Sequence, residues 1–214
     1  MAWMYNSTEN SSLYDVYIAG EGGVGANPNS GFIFYLFTSL EKVDARHLHT
    51  DKATTFVSMF ENCYKLEKVT IKNWNTENVT NMENMFRNCY ELTELDLSSF
   101  NTENVTAMNH MFQDCSELTN LDLRHFNTEK VNKMTRMFYR CYKLSELDLR
   151  SFSFSLRSND AANIFYDLGK NLDSNAKIYV TEEGYNFLKQ NNVAGSANSK
   201  GFFAKFEYVI DSAE

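Results

Sequence analysis

Four cysteines, Cys63, Cys89, Cys115 and Cys141, are the side chains of this 214-residue sequence best suited to metal binding or nucleophilic chemistry, and their spacing argues against both. They stand 26 residues apart, so they form no C-x-x-C pair, and no histidine joins them at ligand spacing. They read as a column of reduced core thiols, free cysteine being among the most buried residue types. The histidines, His47, His49, His110 and His125, sit at unrelated positions. None has a Ser, Cys or carboxylate at a spacing that makes a triad, and all four are expected to face solvent. Gly20-Glu-Gly22-Gly23-Val-Gly25 satisfies G-x-G-x-x-G, but a dinucleotide site needs a helix directly after the third glycine, and here Ala-Asn-Pro-Asn-Ser-Gly follows. A turn or hairpin is expected there instead. No catalytic group, cofactor site or metal site is expected, and the chain is read as non-enzymatic.

What must position any remaining site is a repeat. Asn75–Phe100, Asn101–Phe126 and Asn127–Phe152 align without a gap at a period of 26 residues, and His49–Trp74 is a fourth copy. Half a copy precedes it from Ile33, and Ile164-Phe165 with Ile178-Tyr-Val180 reads as a degraded last copy. Within each copy two periodicities alternate. Leu-x-Leu, as at Leu95 and Leu97, predicts a short strand with both leucines on one face. V-x-x-M-x-x-M-F-x-x-C, as at Val79 to Cys89, has apolar residues every three or four positions and predicts a helical or 3₁₀ return. Asn75-Thr76 and its copies suit the turn between them. The expected fold is therefore an α/β repeat solenoid, a leucine-rich-repeat-like right-handed coil with one short parallel strand per 26-residue repeat and β-containing caps at both ends. One coil cannot bury its own apolar face, so neighbours and lids must supply stability. The expected division is 1–32 as tail and capping strand or hairpin, 33–152 as repeats, and 153–214 as degraded repeat and C-terminal cap. The cap is expected to hold a strand at Lys177–Thr181, a helix at Glu182–Gln190 and a last strand near Phe203–Ile210.

Composition narrows the partners. The net charge is −8 with no cluster of Lys or Arg, which disfavours nucleic acid and anionic membrane. No apolar run reaches the roughly 20 residues of a membrane span, and the first residues lack the pattern of a signal peptide.

The NTxxVTxMxxMFxxCxxLTxLDLxxF unit resembles the repeat of the BspA-like leucine-rich-repeat surface proteins of bacteria. That resemblance implies a solenoid exposed at a bacterial cell surface or secreted, adhesive or host-interacting, which binds a protein ligand through its strand face. Three columns of that face are the candidate binding residues: Lys68, Glu94, Asn120 and Glu146; Thr70, Asp96, Asp122 and Asp148; Lys72, Ser98, Arg124 and Arg150. The three stacked aspartates repel one another, which invites either the neighbouring arginines or a bound cation, with arginines and water as the simpler account. A second candidate is the tyrosine column Tyr64, Tyr90 and Tyr142, interrupted by Ser116, where stacking on a glycan is the alternative reading. A third reading makes the chain a spacer that projects another domain.

Overall fold

A computed structural model describes residues 2–6, 14–18, 23–154, 158–169, 171–172, 176–190 and 206–211. They form a parallel β-solenoid of about six turns with few helices, compatible with a leucine-rich-repeat-like coil. The strands are β1 (Ala2–Asn6), β2 (Tyr14–Ile18), β3 (Val24–Gly25), β4 (Leu40–Asp44), β5 (Leu48–His49), β6 (Lys68–Thr70), β7 (Glu146–Asp148), β8 (Ala176–Thr181) and β9 (Phe206–Asp211). The described helices are α1 (Glu182–Gln190) and a 3₁₀ turn at Ser158–Ala161.

One face carries the Leu-x-Leu segments. Its sheet runs β1-β2-β4-β6, with β1 antiparallel to β2 and the rest parallel. Beyond β6 the pairing narrows to the single bridges Lys68↔Glu94 and Glu94↔Asn120, and it widens again in the parallel sheet β7-β8-β9. The leucines point inward, Leu95 at 8% and Leu97 at 1% exposure, while Glu94, Asp96 and Ser98 between them face out.

The return face departs from the helix or 3₁₀ turn expected of it. Bridges link Asn29, Thr55, Asn81, Ala107 and Lys133 from coil to coil in parallel. Alternate amides donate to the next coil, as in Phe56 N–H to Asn81 O, Ser58 N–H to Glu83 O and Phe60 N–H to Met85 O, each at 2.9 Å. The amides between them close β-turns, Met59 N–H to Phe56 O and Cys63 N–H to Phe60 O at 3.2 Å. The third residues of those turns, Ser58 and Asn62, have φ of 54° and 65°, the positive value that a type II turn requires. The same two columns are left-handed at Asn84 and Asn88, His110 and Asp114, and Arg136 and Arg140. Consecutive four-residue turns return the chain to the same side every three or four residues, which is also the period of a helix. Hydrogen bonding decides between them, because a helix would spend its amides within the coil and leave no ladder to the next one.

The core lies between the two faces. Phe34, Phe60, Phe86, Phe112, Phe138 and Phe165 stack in one column with neighbouring centroids 5.0–6.1 Å apart. The cysteines are free and buried beside them, and each thiol donates to the carbonyl of a phenylalanine in the preceding coil, as from Cys89 Sγ to Phe60 O at 3.2 Å. Burial pushes their acidity down, with Cys63 raised to about 12, so they rest as thiols. Buried Thr76 and Thr102 tie coils together, each hydroxyl bonded to both the carbonyl and the amide of Asn101 or Asn127. At the far end Thr181, the last residue of β8, caps α1: its Oγ1 accepts from Gly184 N–H at 3.1 Å, and Gly184 lies so close to Phe154 that an added Cβ would sit 3.0 Å from the ring.

Two local expectations are corrected. Val24–Gly25 forms no hairpin; it pairs in parallel with β5, and Gly23 adopts φ 79° against the His49 ring. Gly20 and Gly22 lie outside the described residues. His110 is not solvent-facing: its half-buried ring bonds Gln113 Oε1 through Nδ1 at 2.6 Å. His47, His49 and His125 are exposed.

Candidate functional site

The strand face brings its three columns together as a surface. On the middle column each described aspartate bonds the backbone amide two residues on, at 3.2 Å from Asp44 to Arg46, 3.0 Å from Asp96 to Ser98, and 3.1 Å both from Asp122 to Arg124 and from Asp148 to Arg150. Where that residue is arginine, its guanidinium folds back on the same carboxylate through two nitrogens. In Asp122–Arg124 the distances are 3.0 Å from Nε and 2.7 Å from Nη2, and Asp148–Arg150 and Asp44–Arg46 repeat the fork. These bonds hold the carboxyls below the usual range, Asp122 at about 2, with the Arg124 side chain as the main cause. Asp148 and Asp44 are lowered chiefly by Arg150 and Arg46, and Asp96 by Ser98. The partner each arginine-backed aspartate meets is thus its own neighbour, and among the described residues no three of His, Cys, Asp and Glu converge as a metal set would.

The columns line two grooves. A cavity of about 660 Å³ lies over Lys68, Thr70, Lys72, Glu94, Asp96 and Asp122. The other, about 300 Å³, lies over Asn120, Asp122, Arg124, Glu146, Asp148, Arg150 and Tyr179. Ser98 lines neither. Lys68 and Glu94 form an ion pair at 3.4 Å across the larger groove, both well exposed. Tyr179 extends the candidate set. It pairs with Asp148 across β7 and β8, and the Arg150 guanidinium lies 5.8 Å from its ring centroid. Aligning Ile178-Tyr-Val180 with Leu147-Asp-Leu149 puts Tyr179 in the aspartate column, so its signal was present in the sequence. Asp44-Ala-Arg46 in the first half copy carries the same Asp-x-Arg signal.

The tyrosine column is only partly assembled. Tyr64 and Tyr90 stack at 5.3 Å with planes 18° apart, which turns their facing sides toward each other. Tyr142 lies beyond Ser116, whose hydroxyl bonds Tyr90 O at 3.2 Å. Asn78 and Asn104, in Asn-Val-Thr triplets, donate their side-chain amides to the preceding coil at Asp51 O and Glu77 O.

Residues 33–178 match the model of the family described as "Mycoplasma protein of unknown function, DUF285". The chain belongs to this family. The DUF285 match runs from the first coil, at Ile33, into β8, at Ile178, and so takes in both grooves except Tyr179. No curated protein and no solved structure matches the chain. Among the described residues no helix is long and apolar enough to cross a membrane.

Proposed function

We propose that this chain is a non-enzymatic binding module of a bacterial cell-surface or secreted protein, and that it recognises a protein ligand through the strand face. The coil is read as leucine-rich-repeat-like, with the 26-residue period of its own repeated sequence and a cap at each end, and its adhesive role on its resemblance to BspA-like proteins. The observation that carries the proposal is the pair of grooves along the strand face. In the smaller groove the Asp122–Arg124 and Asp148–Arg150 forks hold their side chains in place before a partner arrives, which lowers the ordering cost of binding. Charge there is mixed, which favours a partner with alternating charges over a polyanion. The facing stack of Tyr64 and Tyr90 occupies ring surfaces that a sugar would use, which ranks glycan binding second.

The test is capture of host-surface and bacterial-surface proteins by the wild-type chain beside a variant carrying Asp96→Asn, Asp122→Asn, Asp148→Asn, Arg124→Gln and Arg150→Gln. The expected result is a specific protein retained by the wild type and lost, by tenfold or more in affinity, with the variant. Equal capture by both would refute the strand face as the site, and capture of none would favour the spacer reading.

A further inference from the structure

The core of the solenoid is open at its first coil. Ile33 and Phe37 occupy the columns of Met59 and Cys63, which are fully buried, as are their equivalents in later coils, yet they are 39% and 43% exposed. Beside them Phe32 and Leu36 are 54% and 50% exposed, and both hold a φ of 62°, a conformation that disfavours bulky side chains. Later coils place polar residues in those two columns, such as Asn84 and Asn88. The carbonyls of Gly31, Ile33 and Tyr35 have no donor among the described residues, whereas one coil on, those of Val57, Met59 and Glu61 accept from Phe32, Phe34 and Leu36. Among the described residues no coil packs on this face.

We propose that a second copy of this chain covers it, the two N-terminal ends meeting head to head. Three observations select that occupant. Gly31–Ser39 carries no charged side chain although the chain has a net charge of −8, so a charged partner finds no counter-charge there. Two copies, by contrast, join their neutral ends and hold their acidic surfaces apart. On the same return face at the opposite end Ile164, Phe165 and Leu168 are 0–2% exposed, while the exposed apolar residues described at that end, Val209 and Ile210, lie on β9 of the other face, so the open first coil finds no matching open core for head-to-tail stacking and the contact closes at two. A groove of about 270 Å³ lined by Tyr14, Phe37, Thr38, Ser39 and Leu40 lies at the same end and can receive an aromatic side chain of the other copy. The hydroxyls along that groove supply donors for the open carbonyls, and the exposed, left-handed Phe32 and Leu36 gain the burial that offsets their backbone cost.

The experiment is sedimentation velocity with light scattering on the full chain over a hundredfold concentration range, beside the double variant Phe32→Asn, Leu36→Asn. Asparagine already holds both columns at φ 57° and 61°, so the variant is expected to fold. The wild type is expected to reach about twice 24.7 kDa as concentration rises, and the variant to remain at 24.7 kDa. A wild type monomeric throughout, or a variant that still dimerises, overturns the proposal. So does a monomeric wild type that floats with phosphatidylcholine vesicles, which would make lipid the occupant. A monomeric wild type that loses thermal stability in the variant would place a segment of its own chain on the patch, and this too overturns the proposal. None of these outcomes bears on the strand-face grooves, which the double variant leaves intact.

Discussion

Asp122 shows how one side chain serves both the fold and the candidate site. Its Oδ1 holds the Arg124 amide while both oxygens hold the guanidinium, so the carboxylate is fixed before any ligand arrives. A carboxyl held low in the folded state contributes stability that is fully present above its unfolded value, about 3.9. That contribution is lost as pH falls through the folded value, which is about 2 for Asp122. Strand-face binding is therefore expected to survive to pH 4 and to weaken, with thermal stability, only between about pH 4 and 2. Binding measured from about pH 7 down to 2 would contradict the forks if it disappeared already near pH 5. The stability share is small, because the Asp122 side chain is 55% exposed and screened by water. His110 gives a second pH signature at higher values. Burial first, and then Arg87 and Arg136, lower its proton affinity from the ordinary 6.5, opposed by Gln113 and Glu83. Its neutral form is favoured by folding, so its contribution is full above pH 6.5 and shrinks as pH falls toward the lowered value. Melting curves of His110→Asn are expected to lose that decline; an unchanged pH profile would show that His110 does not cause it.

At the scale of the element, the return segment is held by its left-handed turn positions. Asn88, at φ 61°, also bonds Asn62 Oδ1 at 2.7 Å. Asn88→Val combines a left-handed β-branched residue, about 1–2 kcal/mol, with a lost hydrogen bond, about 1 kcal/mol. Asn88→Gly forfeits only the bond. Urea unfolding is expected to rank wild type, then Gly, then Val, with Val lower by about 2–3 kcal/mol, and a Val variant equal to Gly would remove the turn argument. Leu-x-Leu marked the inward face correctly, but the strand expected in every repeat forms at Lys68–Thr70 and Glu146–Asp148 and shrinks to single bridges at Glu94 and Asn120; the helix at Glu182–Gln190 and the strand before it could be read from their own residues. The return was misread because apolar spacing alone does not separate a helix from successive turns. The deciding signal was polar: Ser58 and Asn62, then Asn84 and Asn88, stand four residues apart, and asparagine tolerates the left-handed region that those turns need. On the candidate site, the columns could be derived from the register, but the Asp-Arg forks could not, since an i to i+2 pair on one strand face closes only when the backbone turns just after the aspartate.

Across the whole molecule, stability passes from coil to coil, so the ends determine whether the middle survives. The last repeat rests on the segment C-terminal to it: Phe138 stacks on Phe165 at 6.1 Å, and the Leu149 amide bonds Tyr179 O at 2.8 Å. Leu147 pairs with Ile178 across β7 and β8, and Phe154 packs on Phe187 at 5.7 Å. Ending the chain before Ser155 would uncover Phe138, Leu147, Leu149 and Phe152, each at most 5% exposed in the intact molecule. It would also free a row of backbone groups that β8 now pairs. An apolar coil face with an open hydrogen-bonding edge recruits other chains. The truncated chain is expected to aggregate, seen as rising light scattering at concentrations where the intact chain stays clear. The N-terminal end makes a different prediction because its open face is small and uncharged, and a head-to-head contact with another copy uses up both open faces and leaves none to propagate. Removing the C-terminal segment should therefore give open-ended assembly, whereas the intact chain should stop at a dimer. A truncated chain that remained soluble and monomeric would show that the coil ending at Phe152 closes itself, and that β8 and α1 are additions rather than the lid on which the solenoid depends.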